Sequence, residues 1–213
     1  MKTSKIDNIF IYWIYFVSLL TISIYILGSL GFISALLQAD ISYISSIISF
    51  IFIYNTFSCG YYLYKLRDAI VYIEFENSAH KCNIFLDAYH EYKRLMSINS
   101  DPKSVQEDFK IKLYEYIDNG FFVADILLKL GIVGTVIGFI IMLSSLSMID
   151  EINLSKMNNL LLSMSAGMKV ALYTTLTGLI GSVLLSIQYN YFESKINVFI
   201  NKVINYNHHE KKE

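Results

Sequence analysis

The sequence predicts an all-α membrane protein with four transmembrane helices and a short helical cytoplasmic segment between the second and the third. Three observations carry this. Hydrophobic residues make up 54% of the 213 positions and charged residues only 16%, against roughly 25% charged in soluble domains. Four stretches reach the ~20 apolar residues that a bilayer requires. Lysine and arginine collect on one side of those stretches. Mean hydropathy is +0.46. A net charge of −1 offers nothing to a nucleic-acid backbone, so no such partner is expected.

The first span is Ile9–Leu27, extended by an apolar Gly-Ser-rich stretch to Leu37. It is too long for a signal-peptide core and lacks a small-residue cleavage site, so it is expected to be retained. The second is Ile41–Tyr62, the third Ile126–Ile149 and the fourth Ala166–Tyr189. Lys2 and Lys5 precede the first span. Lys65, Arg67, Lys81, Lys93, Arg94, Lys103, Lys110 and Lys112 lie between spans two and three, and Lys195, Lys202, Lys211 and Lys212 follow span four. The connection at Gly28–Asp40 has no cation and that at Asp150–Ser165 has only Lys156. Both termini and the central segment are therefore expected in the cytoplasm. Tyr61, Tyr62 and Tyr64 fall at the position of an interfacial aromatic belt. Cys59 and Cys82 are expected as free thiols, one near that interface and one in the cytoplasm.

The central segment, Lys65–Asn119, mixes charges of both signs and predicts two helices. The break is expected at Ser100-Asp101-Pro102, around the one proline of the chain. Ser104-x-x-Glu107 fits a capping box opening the second helix. Phe109, Leu113 and Tyr116 follow at helical spacing, so that helix is expected to run on into span three. The segment is too short for a separate enzyme domain. The domains read as 1–64, a transmembrane hairpin; 65–120, the cytoplasmic segment; 121–192, the last two spans; and 193–213, a tail.

The chemistry that stands out lies in LGIVGTVIGFI, Leu130–Ile140, and GMKVALYTTLTGLI, Gly167–Ile180. Gly131, Thr135, Gly138, Met142 and Ser145 share one helical face, with Gly134 in the same glycine-rich turn. In span four Gly167, Ala171 and Thr175 form one row; Thr174, Gly178, Ser182 and Ser186 form the next. Two readings stand open. Small-xxx-small rows pack helices closely in lipid. Alternatively, the hydroxyls of Thr135, Thr175 and Thr174 meet a partner or line a wet path, unless each bonds its own i−4 carbonyl.

No span carries a carboxylate or histidine near its middle. Asp125 and Lys129 fall at the cytoplasmic entrance of span three; Asp40, Asp150 and Glu151 fall at the outer surface. Lys169 lies one turn into span four, positioned to snorkel. Should the protein conduct protons, the titrating group must come from another chain. His80, Cys82, His90, His208 and His209 match no standard metal-site spacing. The chain has no G-x-S-x-G, P-loop or H-E-x-x-H motif. No metal, cofactor or enzymatic activity is expected.

LGIVGTVIGFI followed by GMKVALYTTLTGLIGSVLLSIQYNYF resembles the MotA/TolQ/ExbB proton-channel family, whose pattern is G-x-x-G-T-V-x-G, then A-L-x-x-T-x-x-G-L and an aromatic exit. The likeness covers Leu127–Phe192. It implies a bacterial inner-membrane homo-oligomer, a pentamer, around a single-span partner of the MotB/TolR/ExbD type that carries the ion-binding aspartate. Thr135 and Thr175 fall on the family's pore-lining threonines. Val170 stands where ExbB- and TolQ-like members commonly carry glutamate, and the last span lacks their proline. Leu128 replaces a proline usual before the glycine-rich helix. Four spans opening with a hairpin are closer to the flagellar-stator arrangement than to the three-span one. The resemblance thus implies an ion-channel subunit driven by the proton motive force. The alternative is a non-conducting membrane scaffold. A small transporter would require a polar group or broken helix at the midplane, for which the sequence offers no strong candidate.

Overall fold

The structure is a computed structural model that describes residues 4–31, 34, 43–75, 83–98, 101–146 and 154–210. The described residues form five helices: α1 Ser4–Ser29, α2 Ile44–Phe75, α3 Ile84–Ile98, α4 Pro102–Leu146 and α5 Leu154–Glu210. Four of them, α1, α2, α4 and α5, are long and apolar enough to cross a membrane. The chain is a multi-pass, all-α membrane protein. Asp40, Ile41, Ser78, His80, Cys82, Ser100, Asp150, Glu151 and the terminal lysines Lys2, Lys211 and Lys212 lie outside the described residues.

Helix ends differ from the sequence expectations for local reasons. α4 opens at Pro102, whose fixed φ suits the first helical position. The Asp101 carboxylate accepts from the Lys103 N–H at 3.1 Å. The cap is therefore Asp101 and not the expected Ser104–Glu107 box; a cap two residues before its donor already satisfies the first turn. The central segment also breaks once more than expected. α2 runs on past Tyr62 to Phe75, and α3 starts afresh after Asn83, a buried residue whose Oδ1 accepts from the Phe85 N–H at 3.2 Å. Asn83 also donates to the Lys65 carbonyl at 2.8 Å, tying the start of α3 to α2. The expected continuity of the next helix into span three is observed, since α4 is unbroken over 45 residues.

Two compact units form. The first comprises Met1–Ser18, Thr56–Phe121 and Ser186–Glu213. Its core is aromatic: Phe85 packs on Tyr116, Phe192 and Phe199, Tyr62 stacks on Phe192, and Tyr92 sits 4.8 Å from Phe109. Val105, Phe109, Leu113 and Ile117 supply one buried i, i+4 row of α4. Gly60 lies under the Trp13 ring and Gly120 under the Tyr189 ring, so neither tolerates a Cβ. The second unit comprises Leu19–Asn55 and Phe122–Leu185. Within it α4 and α5 form an antiparallel hairpin, with Ile48 of α2 buried beside it. Each unit joins segments that are distant in sequence, because all four long helices contribute residues to both.

Candidate functional site

The seam of the α4–α5 hairpin is built from small residues. A Cβ added at Gly178 would come within 2.7 Å of the Leu127 carbonyl oxygen and 2.8 Å of the Gly131 Cα. At Gly138 it would meet the Ala171 nitrogen at 2.6 Å, and at Gly167 the Gly138 oxygen at 2.8 Å. Gly134 is filled by the Thr174 side chain. The pairings Gly131–Gly178, Gly134–Thr174 and Gly138–Gly167 run in opposite senses, as an antiparallel pair requires. Gly131, Gly134, Gly138, Gly167, Ala171, Thr174 and Gly178 are all buried. With backbones this close, one hairpin uses all seven.

The structure separates the three threonines. Thr174 is 0% exposed, and its hydroxyl donates to its own helix, at 2.9 Å to Val170 and 3.1 Å to Ala171. It is a packing residue of the seam rather than an open pathway residue. Thr135 is partly buried and donates to the Ile132 carbonyl. Thr175 is partly buried too; it donates to Ala171 at 3.1 Å and, across the hairpin, to the Gly131 carbonyl at 3.4 Å.

Helical phase brings Thr135 and Thr175 to one flank. Each residue advances ~100°. Thr135 therefore lies ~40° round α4 from Gly131, and Thr175 ~40° round α5 from Ala171. Because the helices are antiparallel, equal turns of the same sign carry both side chains to the same side. Ser182, also partly buried, follows them there. Gly181 turns the other way, and on that flank Ile48 and Phe52 of α2 approach to 3.8 and 3.9 Å of a Cβ built on it. The hairpin thus has one flank packed by α2 and an opposite flank of half-exposed hydroxyls. Val170 is fully buried, so the position of the family's glutamate offers no carboxylate to either flank.

The charges near the hairpin are few. Asp125 and Lys129 pair one turn apart on an exposed face of α4. Lys169 is exposed. Among the described residues no three His, Cys, Asp or Glu side chains gather as a metal site would need. His90 packs against Tyr72 and Tyr89; the side chains of His208 and His209 are outside the described ones. In the other unit, one polar pair escaped the sequence reading. Gln188, 3% exposed, donates to the Thr56 hydroxyl at 3.2 Å, and the Cys59 Sγ sits 3.9 Å from the Gln188 carbonyl oxygen. The signal was available: a glutamine inside LLSIQYNYF has to find a partner when a neighbour covers it.

Residues 123–204 match the MotA/TolQ/ExbB proton channel family. The match takes in the glycine seam, both flank threonines and the aromatic exit, so the likeness to that family lies in this stretch. No curated protein and no solved structure matches the chain.

Proposed function

Starting from a chain whose residues 123–204 match the MotA/TolQ/ExbB proton channel family, we propose that it is the channel subunit of an inner-membrane complex driven by the proton motive force. Copies of the chain, five by family likeness, surround a single-span MotB/TolR/ExbD-type subunit whose aspartate carries the ion. The observation that carries this reading is the flank shared by Thr135 and Thr175. On that flank both hydroxyls stay partly accessible, whereas α2 packs against the other flank.

The division of labour follows from what the chain lacks. Neither half of the hairpin holds a mid-span acid, and Asp125 is paired with Lys129. A proton carrier in lipid needs a titrating group, so the partner supplies it. The hydroxyls then act as neutral donors and acceptors that solvate an ion without holding it. The lysine and arginine distribution supports a cytoplasmic location for both termini and for Lys65–Asn119. The exposed apolar residues of α4 and α5, among them Val136, Ile140, Leu172 and Leu176, support burial against other copies and lipid.

The test is reconstitution in liposomes with a single-span MotB/TolR/ExbD-type subunit, followed by an imposed pH gradient and an internal pH dye. Flux is expected with both subunits and none with either alone. A fully assembled complex that passes no protons leaves the scaffold reading in its place.

A further inference from the structure

We infer that Tyr12, Tyr191 and Lys195 form a seat for the headgroup of an anionic phospholipid. The three residues come from α1 and α5 within one compact unit. The Lys195 ammonium lies 4.8 Å from the centre of the Tyr191 ring. Tyr12 meets the same ring edge-on, with centroids 6.3 Å apart and planes at 60°. Among the described residues no carboxylate pairs with Lys195. A ring face orients the ammonium through its quadrupole but does not neutralise it. The ammonium therefore keeps a charge that an anion can meet.

The surroundings select a lipid over a soluble anion. Ile187, Tyr191 and Lys195 form an i, i+4 row along α5, passing from aliphatic through aromatic to cationic. Ile187 is 49% exposed, and on α1 the neighbouring Ile11 and Tyr15 are 56% and 68% exposed. This is the gradient an interfacial phospholipid presents: acyl chain, glycerol region, phosphate. Lys195 supplies three N–H donors to a phosphodiester and the Tyr12 phenol one more. A zwitterionic headgroup brings its own cation to the phosphate and gains less from the lysine. The cytoplasmic leaflet, where anionic lipids meet juxtamembrane cations, is assigned from the proposed topology. The seat itself does not depend on ion conduction.

The experiment uses the full chain in nanodiscs and, after mild detergent extraction, native mass spectrometry. Wild-type protein is expected to retain phosphatidylglycerol over phosphatidylcholine and to melt higher with the former. Lys195→Gln is expected to weaken phosphatidylglycerol retention about fivefold, Lys195→Arg to preserve it, and Tyr12→Phe to weaken it less. Lys103→Gln, an exposed lysine at the start of α4, is expected to change nothing. Equal retention and equal melting with both lipids overturns the inference in the wild-type protein alone, whatever the variants do. So does a folded Lys195→Gln that binds phosphatidylglycerol as well as wild type. Displacement of the bound lipid by inorganic phosphate would mark a soluble-anion site and also overturn it.

Discussion

The Thr175 hydroxyl reaches across the hairpin to the Gly131 carbonyl at 3.4 Å while also facing the Ala171 carbonyl of its own helix at 3.1 Å. One proton serves two acceptors, and the cross-helix arm is the longer. Interhelical hydrogen bonds in membranes average ~0.6 kcal/mol. This one therefore contributes little to holding α4 on α5. Thr175→Val is expected to shift the thermal midpoint of the purified protein by no more than a few degrees. A collapse of the folded protein on that substitution would show that the hydroxyl is structural and not a pathway group.

Close backbone approach, in contrast, is indispensable. Gly178→Ala places a methyl group 2.7 Å from the Leu127 carbonyl oxygen, and backbone cannot move aside as a side chain can. The expected cost is ~1–3 kcal/mol, the range for overpacking. Gly181→Ala is the control. Its Cβ would meet Leu127, Ile48 and Phe52 at 3.6–3.9 Å, ordinary contact. That variant is expected to keep wild-type stability or gain slightly from helix propensity. Detergent melting curves of the two variants, side by side, check the contrast; equal stability would contradict the seam.

The Gln188–Thr56 pair is expected to be nearly dispensable for stability. Gln188 gains one bond at 3.2 Å, yet its Oε1 is buried with no hydrogen-bond partner. Gln188→Leu loses the bond and also removes that orphaned acceptor. Thr56 can turn its hydroxyl to the i−4 carbonyl. A loss of less than ~1 kcal/mol is expected, measured by chemical or thermal unfolding in detergent. A much larger loss would mean that the amide holds an ordered water.

How much of this was legible follows the physics of each element. The four spans and the unbroken entry of α4 into the third were legible, because apolar runs of that length have few alternatives. The glycine and threonine rows were legible as faces. Their division was not: Thr174 and Thr175 are adjacent in sequence, and only the phase of the partner helix buries one and leaves the other half-exposed. The Asp101 cap was hidden by the more conspicuous Ser104-x-x-Glu107 pattern, and the start of α3 by the weak signal of a lone Asn83. The Tyr191–Lys195 ladder was visible as aromatic-rich sequence, but Tyr12 comes from the far end of the chain.

Glu91 provides a pH test outside the spans. Its carboxyl is held below the usual range by a hydrogen bond and charge attraction from Lys112, with Arg94 adding a smaller pull. A lowered folded-state value means that the ionised pair stabilises above the unfolded carboxylate range. That contribution fades as pH falls through the folded value. The pair is exposed, so its effect on stability is expected to be slight. Carbon-13 titration is the sensitive readout: Lys112→Met is expected to move the Glu91 midpoint upward. An unchanged midpoint would show that the pair does not persist in solution.

The proposed orientation is tested by cysteine labelling. Ser104, exposed in the first turn of α4, falls in the segment assigned to the cytoplasm. In a Cys59→Ser, Cys82→Ser background, Ser104→Cys is expected to resist a membrane-impermeant maleimide in intact cells and to react after permeabilisation. Ser144, at the other end of the same helix and also exposed, is expected to behave oppositely when changed to cysteine. Labelling of Ser104→Cys from outside would invert the topology and move the inferred lipid seat to the opposite leaflet.

The functional weight falls on Thr135 and Thr175 together. Both hydroxyls donate within the hairpin, at Ile132 for Thr135 and at Ala171 and Gly131 for Thr175. Each hydroxyl oxygen also has lone pairs, and on partly accessible residues these can accept from a water or a protonated carboxyl. Valine keeps the shape and removes the acceptor. The double variant Thr135→Val, Thr175→Val is therefore expected to fold, assemble and pull down the partner as wild type does. Flux in the liposome assay is expected to fall at least tenfold, as is activity in cells that depend on the complex. Serine at both positions, which restores the hydroxyls, is expected to recover part of each. A scaffold needs no acceptor on this flank, so on that reading valine is silent. Full flux in the double valine variant would remove both threonines from the pathway. Loss of activity with assembly also lost would instead place them among the packing residues beside Thr174.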